Sequence, residues 1–139
     1  MIYLSSSCFK ETNIKKNIEA CLDNKSTNIE LSGNLLYEKN ILHSLLEYKE
    51  KYSLNLLLHN YFPVPKKKFV INLSSLDEEI YEMSMSHCIN SIRISKVLGA
   101  SKYGLHTGFF FDPRVIDLGK KIQKSNIDKI QKSITRFCQ

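Results

Sequence analysis

What this chain lacks narrows its class before any motif is weighed. Its four cysteines, at positions 8, 21, 88 and 138, are far apart and form no Cys-x-x-Cys pair. Zinc knuckles and dithiol redox motifs therefore have no support, and free thiols in a reducing compartment are the expectation. No stretch approaches the roughly 20 apolar residues of a membrane helix. The opening MIYLSSSCFKE offers only four apolar-leaning residues before its serines, too few for the core of a secretory signal. These absences predict a soluble, cytoplasmic protein with no membrane partner. Glycine is also missing from SSSCFKE, the turn after the first predicted strand. An open nucleotide-binding sheet places its glycine-rich phosphate turn there.

What is present suits a single domain over residues 1–139, because 42% hydrophobic content is enough for a real core. The net charge of +6 and the pI near 9.1 raise the question of an anionic partner. Most lysines (15, 16, 39, 49, 51, 120, 121, 129 and 132) fall in amphipathic helical patterns, where a solvated outer face accounts for them. Nucleic acid is the less favoured partner on that ground. One true cluster exists, Lys66-Lys67-Lys68, in a long loop. It can attract a phosphate or simply be a solvated tip.

Strand and helix signals alternate four times. Strands are predicted over residues 2–6, 27–33, 54–60 and 102–109. Ile14, Ile18, Cys21 and Leu22 follow a helical spacing that closes at Asp23-Asn24. A second helix is predicted from about Tyr37 to Lys51, with Ile41, Leu45, Tyr48 and Tyr52 along one side. The third strand, LNLLLHN, is nearly continuous in apolar residues, which predicts burial on both faces. The segment NYFPVPKKKFVINLSS follows, long for a strand–helix connection and held extended by Pro63 and Pro65. Ser75-Leu76-Asp77-Glu78 has the spacing of a capping box for a helix running to Leu98, with Gly99 as its C-cap. A last helical stripe joins Ile127, Ile130, Ile134 and Phe137. Repeated strand–helix units imply an α/β fold with a parallel sheet, either an open doubly wound sheet or part of a (βα)8 barrel. The glycine-free first turn favours the barrel.

Two histidines occupy matching places. His59 ends the third predicted strand and His106 ends the fourth, at the C-terminal strand ends where parallel α/β folds do their work. Neighbouring strands lie about 4.8 Å apart, so two imidazoles there can share a metal or a substrate oxygen. A lone strand-end histidine is more often a hydrogen-bonded structural residue; the matched pair brings the two readings level. His43 and His87 lie inside helical patterns and read as structural. Glu30, in NIELSG near the end of the second strand, is a carboxylate among apolar residues and a candidate for the same site.

The stretch LLLHNYFPVPKKKFVINLSSLDEEIYEMSMSHCINSIRISKVLGASKYGLHTGFF resembles the xylose isomerase-like TIM-barrel superfamily, which includes sugar isomerases and epimerases and the endonuclease IV type of abasic-site nuclease. A strand ending in His59, INL at 71–73, a helix ending LGA at 98–100 and HTG at 106–108 carry the likeness, over residues 54–109. The resemblance implies the (βα)4 half of a TIM barrel, a divalent metal such as zinc or manganese, and a sugar or sugar phosphate as substrate. It further implies His59 and His106 as metal ligands, with Glu30, Asn60 and Asn72 near the substrate.

The family barrel has eight strands and this chain carries four, so the later acidic and histidine ligands are missing and the barrel cannot close. The expectation is an N-terminal half, inactive alone and prone to self-association through exposed sheet edges. Three functions follow: a sugar or sugar-phosphate isomerase or epimerase working by metal-assisted proton transfer, an abasic-site nuclease, or a degenerate barrel without catalysis.

Overall fold

The computed structural model describes residues 1–109, 111–120, Lys132 and Arg136. The helical stripe expected over 127–137 lies outside the described residues, apart from Lys132 and Arg136, as does Cys138. The elements run β1 (Leu4–Ser5), a 3-10 turn (Ser6–Cys8), α1 (Ile14–Asp23), β2 (Asn28–Leu31), α2 (Ile41–Tyr52), β3 (Asn55–His59), α3 (Glu78–Val97), β4 (Tyr103–Gly104) and a second 3-10 turn (Val115–Asp117). They fall into two compact units. The first comprises residues 1–66 and 90–105, the second 67–89 and 106–139.

The first unit is a four-stranded parallel sheet in the order β1-β2-β3-β4. Each strand lies beside the one that precedes it in the chain. A doubly wound sheet reverses its strand order at a switch point, and none occurs among these strands. In register, Leu4 faces Ile29 and Ile29 faces Leu56, while Leu31 faces Leu58 and Leu58 faces Tyr103. Side chains alternate across a strand, so Ile29, Leu31, Leu56 and Leu58 share one side. They form a single core with Ile14, Ile18 and Cys21 of α1, Leu45 of α2, and Leu98 just after α3. The helices thus cover one face of the sheet. β3 corrects the expectation of burial on both sides: Leu56 and Leu58 are buried, Asn55 is exposed, and Leu57 and His59 are half-buried. The run looks continuous only because Leu57 is the one apolar residue on the less covered face.

Local chemistry moves several boundaries. β1 stops at Ser5 because the next residues form a 3-10 turn, with the Ser5 hydroxyl accepting from the Ser7 amide. The second helix starts at Ile41, not Tyr37, because Asn40 stands at φ 110°, incompatible with the helix interior. Asn13 caps α1 by accepting from the Lys16 amide. The predicted capping box is displaced by two residues. Asp77 caps α3, its carboxylate accepting from the amides of Glu79 and Ile80, while the Ser75 hydroxyl accepts from the Asp77 amide. Gly99 does end the helix: it adopts φ +68°, and the Ala100 amide reaches back to the Ser95 carbonyl. The fourth strand is two residues long, against the eight expected.

In the second unit, Val70, Ile71 and Cys88 are buried. None of the described helices is long and apolar enough to cross a membrane.

Candidate functional site

The open face of the sheet follows from the same alternation that builds the core. Asn28, Glu30, Asn55, Leu57 and His59 stand opposite the buried leucines and isoleucines, and none of them is fully buried. A hydrogen bond from Asn55 Nδ2 to Asn28 Oδ1, 2.8 Å, joins the two strands on that side. Ser5, Glu30 and Leu57 form one row across β1, β2 and β3, and His59 and Gly104 form another across β3 and β4. Glu30 and His59 therefore occupy adjacent strands on one face, His59 two residues nearer the C-terminal edge than the residue paired with Glu30. The Glu30 carboxylate is half-buried and makes no hydrogen bond or ion pair among the described residues.

The glycine at 104 makes room for the histidine. A Cβ built there would lie 2.5 Å from His59 Cδ2, closer than non-bonded atoms tolerate. Beyond β3 the chain turns sharply at Asn60, φ 42°. The Asn60 amide donates to the Gly104 carbonyl at 2.7 Å, its carbonyl accepts from the Tyr103 hydroxyl at 2.7 Å, and the Phe62 amide donates to the His59 carbonyl at 3.1 Å. Asn60 is buried. Its backbone ties the end of β3 to β4 and so fixes where His59 emerges. Tyr61 lies directly against Gly33, where no side chain would fit.

A polar cluster centred on Ser6 secures the ends of β1 and β2. The fully buried Ser6 hydroxyl accepts from the Ser32 amide at 2.9 Å and donates to Asn34 Oδ1 at 3.1 Å. The Ser6 carbonyl accepts from Nδ2 of both Asn17 and Asn34, at 3.0 and 2.8 Å. Asn17, buried on α1, also donates to the Glu11 carbonyl. Hydrogen bonding in both directions is what makes burial of such groups tolerable. The serine run in the glycine-free turn is its mark in the sequence, supplying side-chain hydroxyls where a phosphate loop would supply bare amides.

The other expected residues lie in the second unit. His106 is exposed and falls two residues beyond the end of β4. Asn72 is buried, and its side chain is fully occupied. Oδ1 accepts from the Ser74 amide and hydroxyl and from the Phe109 amide, while Nδ2 donates to the Phe111 carbonyl and to Asp112 Oδ1. That uses both donors and both lone-pair directions of an amide, so the side chain holds its own unit together and has no capacity left for a ligand. Gly108, at φ +134°, lies against Asn72 with no room for a Cβ. Of the residues expected at the site, the structure thus places Glu30 and His59 together on one face, with Asn60 as the turn that sets His59.

A catalytic divalent ion takes about three protein ligands. Among the described residues no group of three or more His, Cys, Asp or Glu side chains is gathered that could hold one. Among these residues zinc or manganese finds no complete ligand set. Of the other histidines, His43 is an exposed helix residue 3.3 Å from Glu47, and the His87 ring meets Phe69 edge-on. His43 lies on α2 and His87 in the second unit. No protein-family model, no curated protein and no solved structure matches this chain.

Proposed function

We propose that the four-stranded sheet is half of a (βα)8 barrel of the xylose isomerase-like kind, and that its open face binds a sugar or sugar phosphate. The observation that carries this reading is the pairing of consecutive strand order with α1, α2 and the end of α3 packed on one face, while Glu30 and His59 stand together on the other. In a closed barrel such a face lines the interior, and the C-terminal strand ends form the working mouth. A carboxylate accepts hydrogen bonds from sugar hydroxyls, and an imidazole does either. Four strands cannot close the ring, so this chain by itself is expected to bind weakly and not to turn over substrate.

The test is titration of the chain with xylose and with glucose 6-phosphate, followed by backbone amide NMR. The expected result is saturable shifts confined to residues 28–31 and 56–60, lost in Glu30→Gln and His59→Ala. Saturable shifts elsewhere, or none at millimolar ligand, would overturn it. The net charge of +6 favours a second reading, an abasic-site nuclease relative. That reading requires binding of abasic duplex DNA with a steep inverse dependence on salt.

A further inference from the structure

The lysine cluster is not used by the sheet face, and one of its members borders a separate cavity. Within the second unit, Lys68, Phe69 and Val70, Ile80 of α3, and Asp112, Pro113, Arg114 and Val115 enclose a cleft of about 230 Å³. Its size falls below the roughly 300 Å³ at which pockets take drug-sized ligands, so its occupant is a compact molecule of one ring or one branched chain.

The chemistry of the walls is sorted by position. Val70 and Pro113 are buried, and Phe69 is held by its edge-on contact with His87, ring centroids 6.1 Å apart. Among the described residues that line it, five of eight are apolar. Each charged group has a distinct status. Asp112 accepts from Asn72 Nδ2 at 2.8 Å, which fixes its carboxylate. Arg114 is held by Asp117, Nε to Oδ2 at 2.6 Å and Nη2 to Oδ1 at 3.2 Å. Lys67 points to Glu79 at 3.6 Å. Among the described residues Lys68 makes no hydrogen bond or ion pair, whereas Arg114 is paired with Asp117.

We infer that this cleft is a binding site for a small organic carboxylate with a compact apolar body. The apolar walls take the body, and Lys68, helped by the remaining guanidinium donors of Arg114, takes the carboxylate. A phosphate dianion fits less well. It has no apolar part to bury against Phe69, Val70, Ile80 and Pro113.

Benzoate is the probe, titrated into the full chain and followed by the amide signals of Val70, Ile80 and Val115. Benzyl alcohol, benzamidinium and inorganic phosphate serve as controls. The expected result is saturable, millimolar binding of benzoate at these amides. Benzyl alcohol and benzamidinium should be weaker by roughly fivefold or more, the scale of one exposed charge pair, and phosphate should give no saturable shift there. Lys68→Gln should weaken benzoate by a similar factor and leave benzyl alcohol unchanged. Val115→Trp, which fills the rim from an exposed position, should abolish benzoate binding while thermal unfolding stays unchanged. The inference is overturned if benzoate leaves these amides unmoved, if phosphate or benzamidinium binds as well as benzoate, or if Lys68→Gln has no effect.

Discussion

His59 and Gly104 face each other across β3 and β4 with no space for even one methyl group between them. The position of the imidazole on the open sheet face is therefore set by what its neighbour lacks. Gly104→Ala should destabilise the chain by about 1–3 kcal/mol, the usual cost of overpacking. Because the clash is with the ring itself, His59→Ala in the same chain should recover much of that loss. Urea midpoints of the two single variants and the double variant form the cycle that checks it. Strictly additive effects would mean that the two positions do not interact.

Asn72 is expected to be as important to the second unit as Leu58 is to the first. In Asn72→Asp the shape is kept and both donors are lost. The Phe111 carbonyl is then left without its donor, and a carboxylate is placed beside Asp112. Each orphaned polar group costs about 1–3 kcal/mol. The thermal midpoint should fall, and amide exchange at Ser74 and Phe109 should quicken. The loss should be larger at neutral pH than in acid, where the introduced carboxyl group is protonated and can donate again.

Leu58 is fully buried between β2 and β4 and sits in the single core of the sheet unit. Leu58→Ala should cost about 2–5 kcal/mol through lost burial and the cavity left behind. Chemical denaturation should show this as a lower midpoint.

Among the described cysteines, Cys8 is exposed while Cys21 and Cys88 are buried. Burial, reinforced by the neighbouring Cys8, pushes the Cys21 thiol up from its ordinary 9.0 to about 11. At pH 8 a thiol reagent should label Cys8 rapidly and Cys21 only on unfolding. The same shift has a sign for stability. The folded chain holds the Cys21 proton more tightly than the unfolded chain does, so its contribution is intact below pH 9 and is lost as pH rises from 9 through 11. A Cys21→Ser chain should lack this part of the alkaline decline.

The order of strands and helices is legible in the sequence because alternation and helical spacing are local signals. The α3 C-cap is equally plain, since Gly99 is the residue that accepts φ +68° at no cost. The N-terminus of α3 is harder to place because Ser75 and Asp77 are both good caps, and only the folded loop decides which side chain meets free amides. Glu30 and His59 stand out as candidates by residue type and strand position. Asn72 reads as a substrate residue because nothing local distinguishes an amide offered to a ligand from one spent on Phe109, Phe111 and Asp112, more than 35 residues away. The roles of Gly104 and Gly108 are hidden for the same reason, since each answers to a side chain distant in sequence.

The consecutive strand order also bears on how the sheet comes into being. Each strand pairs with the one made just before it, so every new pairing closes only the loop that separates two neighbouring elements. During synthesis β2 finds β1 already waiting, and β3 finds β2, without any strand being held unpaired for a later partner to be inserted beside it. Such a sheet can be laid down in the direction of translation, each stage a smaller version of the next.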